Sequence, residues 1–380
     1  MGALAAAIQR FYPVAKTRRI GPIGLECSLS ELHMVQMATD SDGSLVVTAR
    51  ASLPYGAPRE EMLASPKRMR ELVHRALNAD RFQGRLVVSM LPSSATRIQS
   101  LNYQVRDGQP ESDAILALLA ERLDGELSDY VIDYIPVRTA TRNEDRLAIV
   151  AIASKEAVIA YLETLRKCGL IAGSLEIGPS AIRRLVSAIG RKDSHENVLT
   201  INFGRRSSYL SVISGSRLIF DQQVKFGEIE LLEEIATTLD MSVDSVHGLV
   251  NKASFDPQSA AAQAPGSRFD IDASETLMEI VKPIFVRMAE EINRALIYTT
   301  SQTRGQAVRR IYLLGSIARW HGMDQLLNSL VRLPVETIPN PLQTFYREGT
   351  PDKIINEQAK PELALATGLA LRGMLDHGRD

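Results

Sequence analysis

The residues of this 380-residue chain best equipped for chemistry stand in turns after short apolar runs. Glu26 follows Ile20–Leu25, and Gly204, Arg205 and Arg206 follow Val198–Phe203. Two adjacent guanidinium groups can hold phosphate as point or forked charges. The same pair can also be a solvated turn, and so can Glu26. No other constellation competes with these. The six histidines (His33, His74, His195, His247, His321 and His377) show no ligand spacing such as HExxH. Cys27 and Cys168 have no CxxC and no His/Cys cluster beside them, which predicts neither a zinc site nor a disulfide and favours a reducing compartment. No metal site, no nucleophile–base pair and no catalytic residue is expected.

The elements that must position these turns belong to an ordinary globular chain. Apolar residues make up 45% and charged residues 23%, and net charge is −1, so neither a disordered chain nor a nucleic-acid binder is indicated. The length implies two lobes or domains. No apolar run approaches the ~20 residues of a membrane span. Ala3–Ile8 lacks a basic region before it, so it is not read as a signal peptide. With Arg10, Lys16, Arg18 and Arg19 behind it, that segment is either a short helix at an anionic membrane surface or a frayed terminus. A cytoplasmic location is expected.

Strands are predicted at Ile20–Leu25, Leu32–Met37 and Leu45–Ser52, then a helix over Lys67–Asn78 opened by Pro66. A compact α+β stretch follows. It has strands Arg85–Leu91, Val131–Arg138 and Arg146–Ala153, helices Glu111–Leu123 and Lys155–Lys167, and a polar loop over Thr139–Asp145. Gly169 should end the second helix as a left-handed residue. Strand Leu170–Ile177 and helix Pro179–Ile189 complete the first half. The strand–turn–strand–strand opening recurs at Val198–Val224, the mark of a duplicated α/β lobe. Helices are expected at Ile229–Leu239, Val243–Lys252, Glu275–Thr303 (kinked or broken at Pro283), Met323–Val331 and Glu362–Met374, with strands Arg310–Leu314 and Val335–Thr337. Residues 254–274, poor in apolar side chains, should be a mobile loop. The division expected is 1–83 in the first lobe, 84–176 as an inserted α+β subdomain with the return to that lobe, and 177–380 as the second lobe.

Four stretches in order resemble the PilM family and, more broadly, the actin-like fold shared with FtsA. They are Gly24–Ser30 with Met34-Val35-Gln36; Arg85–Ser89 through Asp133-Tyr134 and Ala151–Glu156 to Cys168-Gly169-Leu170; Asn202-Phe203-Gly204 with Phe226-Gly227; and Tyr298 with Ile311–Gly315, Ala318-Arg319 and Gly322. The second stretch looks like the small inserted subdomain of PilM and FtsA. The cytoplasmic domain of GspL is similar too, but would run on into a membrane span; FtsA-like chains would end in an amphipathic helix, whereas Leu369–Asp380 ends polar. The resemblance implies an α/β, two-lobed actin-like (duplicated ribonuclease H-like) fold with a small α+β insert.

It also implies a nucleotide site between two hairpins, where turn amides cradle phosphates and strand-end acids hold magnesium. Here Glu26 and Ser28 stand where the family has Asp and Gly, with Ser30 in the same turn and His33 at a lysine-like position. Asn202 stands for the second Asp, beside Gly204, Arg205, Arg206 and Gly227. Lys252 is matched to a helix lysine near the ribose. Gly315 remains in the adenosine loop, but Ser316 and Ile317 replace glycines, and the stiff Ile317 should occupy the space of the base. The site therefore looks eroded: ATP with magnesium is expected to bind weakly or not at all. The implied role is a scaffold, peripheral to the inner membrane, that grips the cytoplasmic peptide of a PilN-like protein beside other platform proteins. The rival expectation is an ATPase whose nucleotide state gates that grip, and a third is a filament former.

Overall fold

Seven consecutive residues of β2 (Glu31–Thr39) are buried, because both faces of its sheet are covered. Beside it run β1 (Arg19–Cys27) and β3 (Leu45–Pro54), antiparallel, while β4 (Leu86–Met90) and β8 (Ile171–Glu176) add in parallel to give the order β3-β2-β1-β4-β8. The second half repeats this plan. In it, β9 (Asn197–Phe203), β10 (Ser208–Ser214) and β11 (Arg217–Val224) form the antiparallel part, and β12 (Val308–Gly315) and β13 (Val335–Thr337) the parallel part, in the order β11-β10-β9-β12-β13. The expected duplication is therefore a topological repeat. The computed structural model describes residues 19–137, 145–190, 196–215, 217–257, 268–303, 305–357 and 359–375. The N-terminal apolar segment and most of the loop over Thr139–Asp145 lie outside these residues.

Helices form where the sequence supplies one apolar face and local end signals. After a short α1 (Arg59–Ala64), α2 (Pro66–Ala79) buries Met69, Leu72, Val73, Ala76 and Leu77, the stripe its spacing predicts. The insert contributes β5 (Arg97–Gln104), α3 (Glu111–Ala120), β6 (Tyr130–Val137) and β7 (Asp145–Ser154). Following it, α4 (Lys155–Lys167) starts at Ser154, whose Oγ accepts from the Ala157 amide at 3.1 Å, and stops before Gly169 at φ +78°. Next come α5 (Gly178–Ile189), α6 (Glu228–Leu239), α7 (Val243–Val250), α8 (Arg268–Gln302), α9 (Met323–Val331), α10 (Asp352–Glu357) and α11 (Ala364–Leu375).

Several expectations are corrected. Strand β5 and helices α1 and α10 were not foreseen. Helix α8 begins at Arg268, before the expected Glu275, and runs unbroken through Pro283. Of the expected loop over 254–274, residues 258–267 lie outside those described. At its near end, Phe255 is buried and stacks on Trp320 with ring centroids 5.4 Å apart. Strands β4 and β8 belong to the first sheet, so the separate insert is the sheet β5-β7-β6 with α3, around Leu101, Tyr103, Ile115 and Leu119. The last helix, expected in the second lobe, packs on β1, β2 and α5. No described helix is long and apolar enough to cross a membrane.

Candidate functional site

Both hairpin turns line one cavity and carry backbone donors with no acceptor among the described residues. In the first, Ser28 closes the turn: its amide donates to the Glu31 carbonyl at 3.0 Å and its hydroxyl to the same oxygen at 2.8 Å. Serine thus replaces glycine without left-handed backbone. The amides of Leu29 and Ser30 donate to no group among the described residues. In the second turn the Gly204 and Arg205 carbonyls accept from the Glu228 and Ile229 amides of α6, at 3.1 and 2.8 Å. The amides of Arg205, Arg206 and Ser207 are again free of acceptors among the described residues, and neither arginine has an ion-pair partner there.

A cavity of about 580 Å³ lies between these turns. Glu26, Ser28, Ser30, Asn202, Gly204, Arg205 and Arg206 line it, together with His33, Gly315 and Ser316. Two expected residues do not. Gly227 sits behind the second turn, where a Cβ would meet the Arg205 carbonyl oxygen at 2.5 Å, and Lys252 is exposed outside the lining. Ile317 is a third correction. Its side chain is fully buried in the second-lobe core and not in the cavity wall, because the 3₁₀ turn Ser316–Arg319 points it inward. It does not fill the space of a base.

The charges of the cleft are unevenly matched. Glu26 is 8% exposed, and its Oε2 has no hydrogen-bond partner among the described residues. Burial, then Glu362 and Glu31, push its pKa up to about 8 against the opposing Arg59. His33 is driven down to about 4 by burial and is neutral, so it brings no lysine-like charge. Arg319 donates at 2.7 Å to Glu228 and also to Glu362. Glu176, at the end of β8, is gripped by Arg184 through two 2.7 Å bonds and by Arg372 through a third. Guanidinium donors thus fill three of its roughly four lone-pair sites. Sequence reasoning missed Arg59, Glu176, Glu228, Arg319 and Glu362, all in the cavity wall. Arg319 lies in the Ala318-Arg319 stretch that carries the resemblance, with no sign there of a site role, and the other four meet it only through the fold.

The donor set fits phosphate: five amides and two arginines without partners among the described residues flank one cavity. It fits a divalent cation less well. Asn202 carries no charge, and among the described residues no group of three His, Cys, Asp or Glu side chains could hold a metal.

The family described as type IV pilus assembly protein PilM matches residues 24–374. Among solved structures, the chain is similar to a PilM-PilN type IV pilus biogenesis complex, at 22% identity, with 93% of this chain and 99% of that one covered and a TM-score of 0.70. It is also similar to ethanolamine utilization protein EutJ from Carboxydothermus hydrogenoformans, at 12% identity, with 93% and 89% covered and a TM-score of 0.52. At these identities the structures speak for the fold.

Proposed function

Since the chain belongs to the PilM family of type IV pilus assembly proteins and has the two-lobed actin-like fold, we propose that it is an assembly-platform scaffold that grips an extended PilN-like peptide at the cytoplasmic face of the inner membrane. The family match over residues 24–374 carries this reading. The similar solved structure is a complex of PilM with PilN, which supports the choice of partner. On the first lobe, β8 is the outer strand of its sheet; Ile171 on it is 63% exposed, and Ile159 on α4 is 55% exposed. An unpaired strand edge beside apolar side chains is what an extended peptide needs.

The cleft is proposed to hold ATP weakly, without efficient hydrolysis. Phosphates would lie on the turn amides and on Arg205 and Arg206, with Glu26 toward magnesium. Bound nucleotide would supply a transferable phosphoryl group, but Asn202 offers no carboxylate and Glu176 is occupied by arginines. A second reading, a nucleotide-gated grip, is favoured by the free amides of both turns.

Two measurements test these readings. Fusing the partner peptide to the chain should raise its melting temperature, because a ligand bound only by the native state stabilises it; no shift with saturating free peptide would overturn the scaffold's partner. Calorimetry with ATP and magnesium should give affinity no better than high micromolar, and phosphate release should match buffer. Submicromolar binding abolished by Arg206→Ala would instead establish the gated reading.

A further inference from the structure

The cavity has a second end with the opposite chemistry. Cross-strand register sets Tyr209 against Gln223 and Ser211 against Asp221, so four polar side chains share one face of the β10–β11 pair. The reverse face presents Leu210, Val212 and Phe220 to the core. The polar face is not open sheet surface: α5 packs across β10 and β11, and β5 of the insert lies against β11. Ser93, Thr96 and Ile98 of the insert and Pro179 of α5 complete the wall, and exposed Ser93 and Gln223 mark a mouth. The Ser211 hydroxyl donates to Asp221 Oδ1 at 2.5 Å. Among the described residues no arginine or lysine pairs with Asp221. Burial pushes its pKa up to about 7, and burial likewise raises Tyr209.

A half-buried carboxyl group that lines a cavity without a cation is unfavourable, and an apolar residue would serve packing better. We propose that this compartment receives an ammonium or guanidinium group, with Asp221 as counter-ion and Tyr209 and Gln223 as hydrogen-bond partners. The phosphate turns offer donors; this end offers acceptors, so it takes a ligand of the opposite charge. An occupant here touches the insert, α5 and the second lobe at once, and therefore ties the insert to that lobe. The cation is either a small free molecule or a basic side chain of a partner segment.

Agmatine, which carries both groups, is the probe. In melting titrations it should stabilise the intact protein saturably. Asp221→Asn should abolish that shift and Tyr209→Phe should reduce it, while Asp221→Asn alone melts no lower than the parent. A partner-peptide arm distinguishes the source: for a basic side chain, Asp221→Asn weakens the native peptide about tenfold in calorimetry, yet leaves unchanged a peptide whose Lys and Arg are replaced by Gln. If the peptide fails to bind the parent, the scaffold reading falls and the agmatine arm alone decides this one. The inference is overturned if agmatine acts equally on parent and Asp221→Asn, or no better than sodium chloride of equal ionic strength, with peptide affinity also indifferent to Asp221.

Discussion

Gly24 on β1 and Ala366 on α11 stand so close that a Cβ on Gly24 would lie 2.1 Å from the Ala366 carbonyl oxygen and 2.4 Å from the Ala370 amide nitrogen. Backbone atoms cannot swing aside as a flexible side chain would. The last helix is thus seated directly on the strand that carries Glu26. Gly24→Ala should lower stability by about 1–3 kcal/mol or more through overpacking. Gly56→Ala, where a Cβ would meet nothing within 4 Å, should stay within ~0.5 kcal/mol. Urea midpoints compare the two, and equal midpoints would mean that α11 is not seated as described.

Ile317 and Asn202 separate two explanations of the weak nucleotide binding proposed above. Because Ile317 is core, Ile317→Ala should cost about 2–5 kcal/mol of stability and leave ATP affinity unimproved. Asn202→Asp restores a carboxylate at the strand end and should tighten magnesium-dependent ATP binding about tenfold, ~1.4 kcal/mol. Calorimetry with and without magnesium reads both. Tighter binding by Ile317→Ala would show that its side chain reaches the base after all.

Glu26 should make the protein less stable as pH rises. Its folded pKa is about 8 against an ordinary 4.5. Between those values the native state keeps a proton that the unfolded chain has released, so stability falls with pH at up to ~1.4 kcal/mol per unit. Asp221 acts in the same direction up to about pH 7, while His33, lowered to about 4, acts oppositely below 6.5. From pH 7 to 8 Glu26 dominates these three. Glu26→Gln should therefore exceed the parent in stability at pH 8 and flatten the slope there. Parallel unfolding curves for both proteins across that interval would refute it.

Ile159 and Ile171 are exposed enough to change at little cost to the fold. Ile159→Asp and Ile171→Asp should each shift stability by no more than ~0.5 kcal/mol. Peptide affinity should fall at least about tenfold in either variant. Parent-like affinity in both would move the docking surface off α4 and β8.

Local features of this chain were legible from the residues alone. Ser154 and Gly169 bound α4, the apolar spacing of α2 names its buried face, and two hairpins precede helical segments in each half. These rest on turn chemistry, capping and periodicity, which operate over a few residues. Strand β5, with Ser100, Asn102 and Gln104 exposed, carries too little apolar content to announce itself. The missed start of α8 lies in a polar stretch for the same reason. At the site, the sequence placed Glu26 and Asn202 at strand ends and Arg205 and Arg206 in a turn, and the fold brought them around one cavity. Which way Ile317 points, how Arg372 reaches Glu176 from 196 residues away, and why Glu26 holds its proton were decided only by tertiary structure. Burial and ionisation depend on neighbours that the chain brings together from afar, and no window of sequence contains them.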